Sequence, residues 1–303
     1  MAGADVEGML RVVLACAALA AVALAPAAHA SELIDRNASR VSLAVSRDGK
    51  ALITYRAQGK LHRVLAWGAV NALTPTRGRP QVKFKLDYSG GWGTFRRPVW
   101  KTFRNACRPY DGPELHWLLA SCRAPDGSYW ALQSWQRMLP NYGLKPSPKQ
   151  AVWELRLSHW TGAPAVLEVA TNWAYRRFDH IFGRFSYLAS PVYGFRSTST
   201  GVPLDSFGRN LYVDTFNSAY GRGWKRENSF LMHNGSGAFC YGFFRHGTRP
   251  AGAGERYRAT IIGPGVTPDV FWESEAPGAY SRELDALAND AIRGLGSDTC
   301  RPN

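Results

Sequence analysis

Residues 41–56 read VSLAVSRDGKALITYR, and the reading of this stretch decides the fold class. Residues 41–46 and 51–56 are short runs of apolar and β-branched side chains. Between them stands Arg47-Asp48-Gly49-Lys50, where Asp-Gly is a hairpin turn signal because both central positions tolerate a positive φ. The stretch predicts two antiparallel strands. Downstream, Gln58-Gly59 marks another turn and residues 61–69 a third strand.

The pattern recurs along the chain. Val82, Phe84, Leu86 and Tyr88 alternate with Gln81, Lys83, Lys85 and Asp87, the period of two expected of a strand with one buried face. Residues 151–160 and 166–173 flank Thr161-Gly162 and predict a second hairpin. That pairing puts Glu154 opposite Glu168, and two like charges so placed would raise one pKa, as an acid/base pair requires. Further strands are predicted over 210–216, 237–244, 255–263 and 269–273. On one face of the first of these, Tyr212, Asp214 and Phe216 form an aromatic-flanked acid suited to sugar hydroxyls.

Two segments look helical. Ser281 is a good N-cap, and Leu284, Leu287, Ala288, Ala291, Ile292 and Leu295 fall on one face of a helix ending near Gly294 and Gly296. Pro98 suits a first helical turn, after which Lys101, Arg104 and Arg108 would share a side. There is no fixed-period repeat and no low-complexity linker. The expectation is a mainly β, antiparallel sandwich or barrel-like single domain over 31–303, with a short C-terminal helix. Two smaller β units meeting near Pro140, Pro146 and Pro148 are the alternative.

The first thirty residues are expected to be a signal peptide that is removed. Arg11 precedes the apolar run 12–25, and Pro26 leads into Ala28-His29-Ala30, the small-x-small pattern of a cleavage site. The run is short for a membrane span and is interrupted by proline. No later stretch is apolar enough to cross a bilayer, so no span is expected after cleavage, and Ser31 would be the new N-terminus. The localisation that follows is secreted or extracellular, with or without attachment to the cell envelope.

Cys16 leaves with that segment. Cys107, Cys122, Cys240 and Cys300 remain, an even number that suits two disulfides in an oxidising compartment. The favoured pairing joins Cys107 to Cys122 and Cys240 to Cys300. No Cys-x-x-Cys and no histidine pair at ligand spacing indicates a metal, and no cofactor motif is present.

The 303 residues carry 37 basic and 23 acidic groups, a net charge of +14. With 13% aromatics this excludes a disordered or coiled-coil chain. The charge is clustered. Between Tyr88 and Tyr110 lie Arg96, Arg97, Lys101, Arg104 and Arg108 with Trp92, Phe95, Trp100 and Phe103 among them, and no acid before Asp111 except Asp87 at the edge. Arg222, Trp224, Lys225 and Arg226 form a second cluster, and Arg184 with Phe185 and Tyr187 belongs to a third. Guanidinium groups match phosphate, sulfate and carboxylate oxygens in pairs, and aromatic faces stack on sugar rings.

For catalysis there is no Gly-x-Ser-x-Gly elbow, His-Glu-x-x-His or phosphate-cradling Gly-x-x-x-x-Gly-Lys. Asp111, Glu114 and His116, inside the predicted Cys107–Cys122 loop, could set an acid beside a base. The leading expectation is a secreted binding protein whose basic aromatic surface engages an anionic polymer or glycan of the cell envelope. Its candidate residues are Trp92, Arg96, Arg97, Trp100, Lys101, Arg104, Arg222, Trp224, Lys225 and Arg226. Nucleic acid is not the expected partner, because export removes the chain from it. An extracellular polysaccharide hydrolase using a carboxylate pair is the alternative, and a structural or protein-interaction domain without a ligand site is the second.

Overall fold

The computed structural model describes residues 31–74, 76–137, 152–174, 178–188, 190–192, 196–197, 203–204, 207, 210–218, 221–226, 230–233, 238–243, 254–262 and 267–294. The chain forms β1 (Glu32–Arg36), β2 (Ser39–Val45), β3 (Ala51–Ala57), β4 (Lys60–Trp67) and β5 (Lys85–Asp87). Two single-turn helices follow, α1 (Trp92–Phe95) and α2 (Val99–Thr102), and then β6 (Leu118–Arg123), β7 (Tyr129–Arg137) and β8 (Val152–Trp160). The second half contains β9 (Val166–Ala174), β10 (Phe178–Tyr187), β11 (Ser190–Pro191), β12 (Arg196–Ser197), β13 (Pro203–Leu204) and β14 (Asn210–Ser218). It continues with β15 (Gly221–Arg226), β16 (Phe230–His233), β17 (Ala238–Phe243), β18 (Arg256–Ile262) and β19 (Val270–Glu275), and closes with α3 (Arg282–Gly294).

The protein is mainly β, with antiparallel pairing throughout the named strands and, among the described residues, no closed barrel. One sheet runs β2-β3-β4-β5 and packs on another running β1-β8-β7-β6. Val45, Ile53, Tyr55 and Val64 of the first interlock with Trp130, Leu132, Leu155 and Leu157 of the second. In the other half a sheet runs β11-β10-β17-β16 with β9 beside β10. A further sheet runs β12-β13-β14-β18-β19 with β15 beside β14. Ile181, Phe185 and Tyr187 meet Leu211, Val213, Tyr257, Ala259 and Ile261 in a second core. Full burial of such side chains stabilises by roughly 1.5–3 kcal/mol each.

The first hairpin forms as the sequence predicts: Val45 pairs with Ala51, and Gly49 takes the positive φ of +72° that the turn needs. The Gln58-Gly59 turn likewise joins β3 to β4. The second predicted hairpin does not form. β8 pairs with β1 and β7, whereas β9 pairs with β10, so Thr161-Gly162 is a passage between sheets. Glu154 therefore stands beside Arg36 and Trp135, and Glu168 beside Arg184, which removes the proposed carboxylate pair.

Three further expectations shift. Of the alternating stretch near residues 81–88 only β5 is paired as a strand, and Asp87, assigned to the solvent face, is buried. The turn after Pro98 ends at Thr102, so Arg104 and Arg108 lie on extended chain instead of a helix face. Ser281 does cap α3, its Oγ accepting the Leu284 N–H at 3.2 Å. Yet Asp285 and Ala288 are the buried side, while Leu284 and Leu287 are exposed. The proline junction at 140–150 lies outside the described residues.

β8 explains how the two halves meet. Leu155 and Leu157 enter the first core, while Glu154, Arg156 and Ser158 on the opposite face are buried as well. They are covered by the second half, with Trp135 and Phe271 forming a small apolar contact beside Trp117 and Tyr212. A face that alternation assigns to water is a polar interior here.

Candidate functional site

A cleft of about 780 Å³ opens beside the first hairpin. Its wall carries five cations, Arg47, Lys50, Arg97, Arg104 and Arg108, and a single acid, Asp48, with Phe95, Val99 and Phe103 between them. Asp48 is already engaged: Lys50 Nζ and Ser46 Oγ both donate to it, and the Lys50 contact holds its carboxyl below the usual range. Among the described residues none of the four arginines is paired with a carboxylate.

Local chemistry fixes each wall. On one side the β2–β3 turn is closed by Ser46 N–H to Lys50 O at 2.9 Å, which projects Arg47 and Lys50. On the other, Asn105 Oδ1 accepts from Val45 N–H and Cys107 N–H, each at 3.0 Å, and Ala106 N–H donates to Val45 O at 2.7 Å. Arg108 and Arg123 exchange backbone bonds of 2.9 and 3.1 Å. The disulfide Cys107–Cys122, with Cα atoms 5.5 Å apart, ties this segment to β6. Cys240 lies in β17, whereas Cys300, its expected partner, lies outside the described residues.

The third wall is the α1–α2 loop. Asp87 accepts from Thr94 N–H at 2.7 Å and from Ser89 N–H at 2.9 Å. Burial disfavours its charge, yet the Ser89 and Thr94 bonds hold the carboxyl down at about 2. Gly91 has φ +109°, and a Cβ there would come within 2.4 Å of Val99 Cγ2. This close approach sets Val99, and Arg97 with it, against the cleft.

Comparison with known protein families, with characterised proteins and with solved structures finds no match. The chemistry of the site has to be read from its own side chains.

Of the sequence-predicted residues, Arg97 and Arg104 line the cleft, while Trp92, Arg96, Trp100 and Lys101 do not. Trp92 is 55% exposed and available on the neighbouring surface. Trp100 is half-buried with the Arg63 guanidinium 4.1 Å above its ring. In the second cluster Arg222 is exposed, Lys225 is half-buried, and Arg226 pairs through its backbone with Asp214. Trp224 is half-buried, with Arg258 4.4 Å and Arg256 5.7 Å from its ring. None of these four residues lines the cleft. In the third cluster Phe185 and Tyr187 are core. Arg47 and Lys50, hairpin residues in the sequence, also line the cleft; their signal is a turn carrying two cations.

The acid candidates are engaged elsewhere. Asp111 binds Arg123 at 2.6 Å, and His116 sets its ring edge-on to Phe271. Asp214 is buried, with Arg258 Nη2 at 2.8 Å. Glu154 accepts from Arg156 Nε at 3.2 Å. His159, buried in the first half, contacts Ser128 Oγ at 2.8 Å and the Ala69 carbonyl, and stacks 3.8 Å from Trp130. Burial pushes its imidazole down to about 4, against the pull of Ala69 O and Asp126. Among the described residues no group of side chains is arranged to hold a metal, and no helix is long and apolar enough to cross a membrane.

Proposed function

We propose that this is an exported protein that binds an anionic polymer or glycan of the cell envelope, and that the cleft bounded by Arg47, Arg97, Arg104 and Arg108 is where it does so. The observation that carries the reading is four carboxylate-free arginines converging on one opening. Like charges brought together repel, and a ligand bearing phosphate, sulfate or carboxylate groups relieves that repulsion. The planar guanidinium forks select oxyanions of matching geometry, and Phe95 and Phe103 offer apolar faces for the rings that carry them. The hydrolase alternative is not favoured at this cleft, since its wall has one carboxylate and two are needed.

The test is retention on a sulfated-polysaccharide resin eluted by a salt gradient. Arg97→Ala/Arg104→Ala is expected to elute at clearly lower salt than Arg222→Ala/Lys225→Ala, although both remove two charges. Equal elution of the two double variants would mean that net charge alone governs retention, and the site assignment would fail.

A further inference from the structure

β1 is preceded by a residue with no accessible surface. Ser31 is fully buried, its Oγ lies 2.7 Å from both carboxylate oxygens of Asp269, and its carbonyl accepts from Arg156 Nη1 at 3.0 Å. Trp135 Nε1 donates to Asp269 Oδ2 at 3.2 Å, and Gln133 brackets the Asp269 backbone with bonds of 3.1 and 3.2 Å. The donors on this carboxylate are a hydroxyl and an indole, both neutral.

The charges around it do not balance. Glu154 and Asp269 are both buried, and Arg156 is the buried guanidinium between them, with its Nε and Nη2 directed to Glu154. Arg36 reaches Glu154 at 3.5 Å from an exposed position. Among the described residues no cation bonds Asp269. Burial pushes its carboxyl up to about 6, although Arg156, Ser31 and Trp135 draw it down. A buried carboxylate without a bonded counter-charge is costly, and the structure retains one at this position.

The missing cation falls where the sequence expects a chain terminus, between Ala30 and Ser31. We propose that hydrolysis of the Ala30–Ser31 bond supplies it, and that Asp269 is the buried counter-ion of the new N-terminus. A peptidase adds one water to that bond: Ala30 leaves as a carboxylate and Ser31 keeps its nitrogen as an α-ammonium. That nitrogen is three covalent bonds from Oγ, hence within about 4 Å of an atom already touching Asp269. An unprocessed chain has a neutral amide there and leaves Asp269 unpaired. Processing then does more than release the chain, because it completes an ion pair that fastens β1 to β8 and the first half to the second. This goes beyond the cleft reading and is independent of it.

The experiment begins with the full chain expressed in a secreting host, where the intact mass is expected to correspond to a chain starting at Ser31. The Ser31 amine is then acetylated at neutral pH with an N-hydroxysuccinimide ester and followed by peptide mass. Each unit by which an amine pKa rises lowers its free-base fraction, and its rate, about tenfold. Acetylation at least ten times slower in the folded chain than in urea is expected, with Asp269→Asn restoring most of the rate. Because that variant could fail to fold, a second measurement keeps Asp269 in place: a chain beginning at Ala30 is compared with one beginning at Ser31, and the latter is expected to melt higher. A different first residue in the exported chain, acetylation at the unfolded rate, or identical melting of the two chains would overturn the proposal.

Discussion

The Asn105 side-chain oxygen lies 3.0 Å from the Val45 nitrogen and takes its N–H, joining the cleft's arginine segment to the end of β2. The same oxygen takes the Cys107 N–H. Asn105→Ala strands both donors and is expected to cost about 1–3 kcal/mol, with weaker resin retention. Asn105→Asp keeps the acceptor and adds a negative charge to the cleft. It should recover much of the lost stability yet elute at lower salt than wild type. Urea midpoints and salt gradients read the two effects separately.

The Cys107–Cys122 bridge closes a loop with a sequence separation of 15. A loop of that size is worth about 3 kcal/mol by its effect on the unfolded chain. The double variant Cys107→Ser/Cys122→Ser is expected to fold, melt lower by several degrees, and bind more weakly because Arg104 and Arg108 lose their anchor. Differential scanning calorimetry of the variant beside oxidised wild type reads the difference.

Gly91→Ala is expected to be disruptive in one place. Its backbone sits at φ +109°, and the new methyl would meet the Val99 side chain. The α1–α2 loop must shift, and with it Arg97. A loss of about 1–3 kcal/mol from strain is expected together with reduced retention, whereas Gly127→Ala, with nothing near its Cβ, should reduce stability by its backbone strain alone and leave retention unchanged.

His159 gives a pH dependence with a definite sign. Its imidazole is held at about 4 in the folded chain, below the ordinary value of 6.5. As pH falls through 6.5 the unfolded chain takes up a proton that the folded chain refuses until about pH 4, so this group removes stability across that window. The full effect is about 3 kcal/mol. In the unprocessed chain Asp269 acts oppositely: its raised carboxyl adds stability as pH falls, so the total curve of that form is flatter than either contribution. The decisive quantity is the difference between wild type and His159→Gln, which is expected to grow in favour of the variant from pH 6.5 to pH 4.

Trp224 is expected to matter for stability more than for binding. It shares the Arg258 guanidinium with Trp117, whose ring is 5.1 Å away, and Arg258 is held in turn by buried Asp214. Trp224→Ala should cost about 1–2 kcal/mol, as a desolvated cation–π contact implies, and leave resin retention near wild type. Retention lost at unchanged stability would restore Trp224 to the binding surface.

Much of this organisation is legible in the chain. Asp48-Gly49 and Gln58-Gly59 give the β2–β3–β4 meander because turn chemistry is local, and Ser281 caps its helix for the same reason. Cys107 and Cys122 are close enough in sequence to be matched. The second hairpin misleads because 151–160 and 166–173 each alternate correctly, while nothing in alternation says which strands become neighbours. Glu154 and Arg156 look solvated for a related cause: periodicity reports that two faces differ, and a polar face can still be covered by another sheet.

Apart from β1, β6, β7 and β10, which only the structure revealed, the sequence by itself determined the β2–β3–β4 meander with its two turns, the strands β8, β9, β14, β17, β18 and β19, the C-terminal helix, the short disulfide and an arginine-rich segment between Tyr88 and Tyr110. All of these rest on interactions between residues near one another in the chain. The tertiary structure alone decided which arginines share a cleft, that Trp100 and Trp224 lie against guanidinium groups of their own chain, and that Ser31 meets Asp269 across 238 positions. Those outcomes depend on how sheets stack and on which charges burial leaves without a partner, and neither is written in any local stretch of residues.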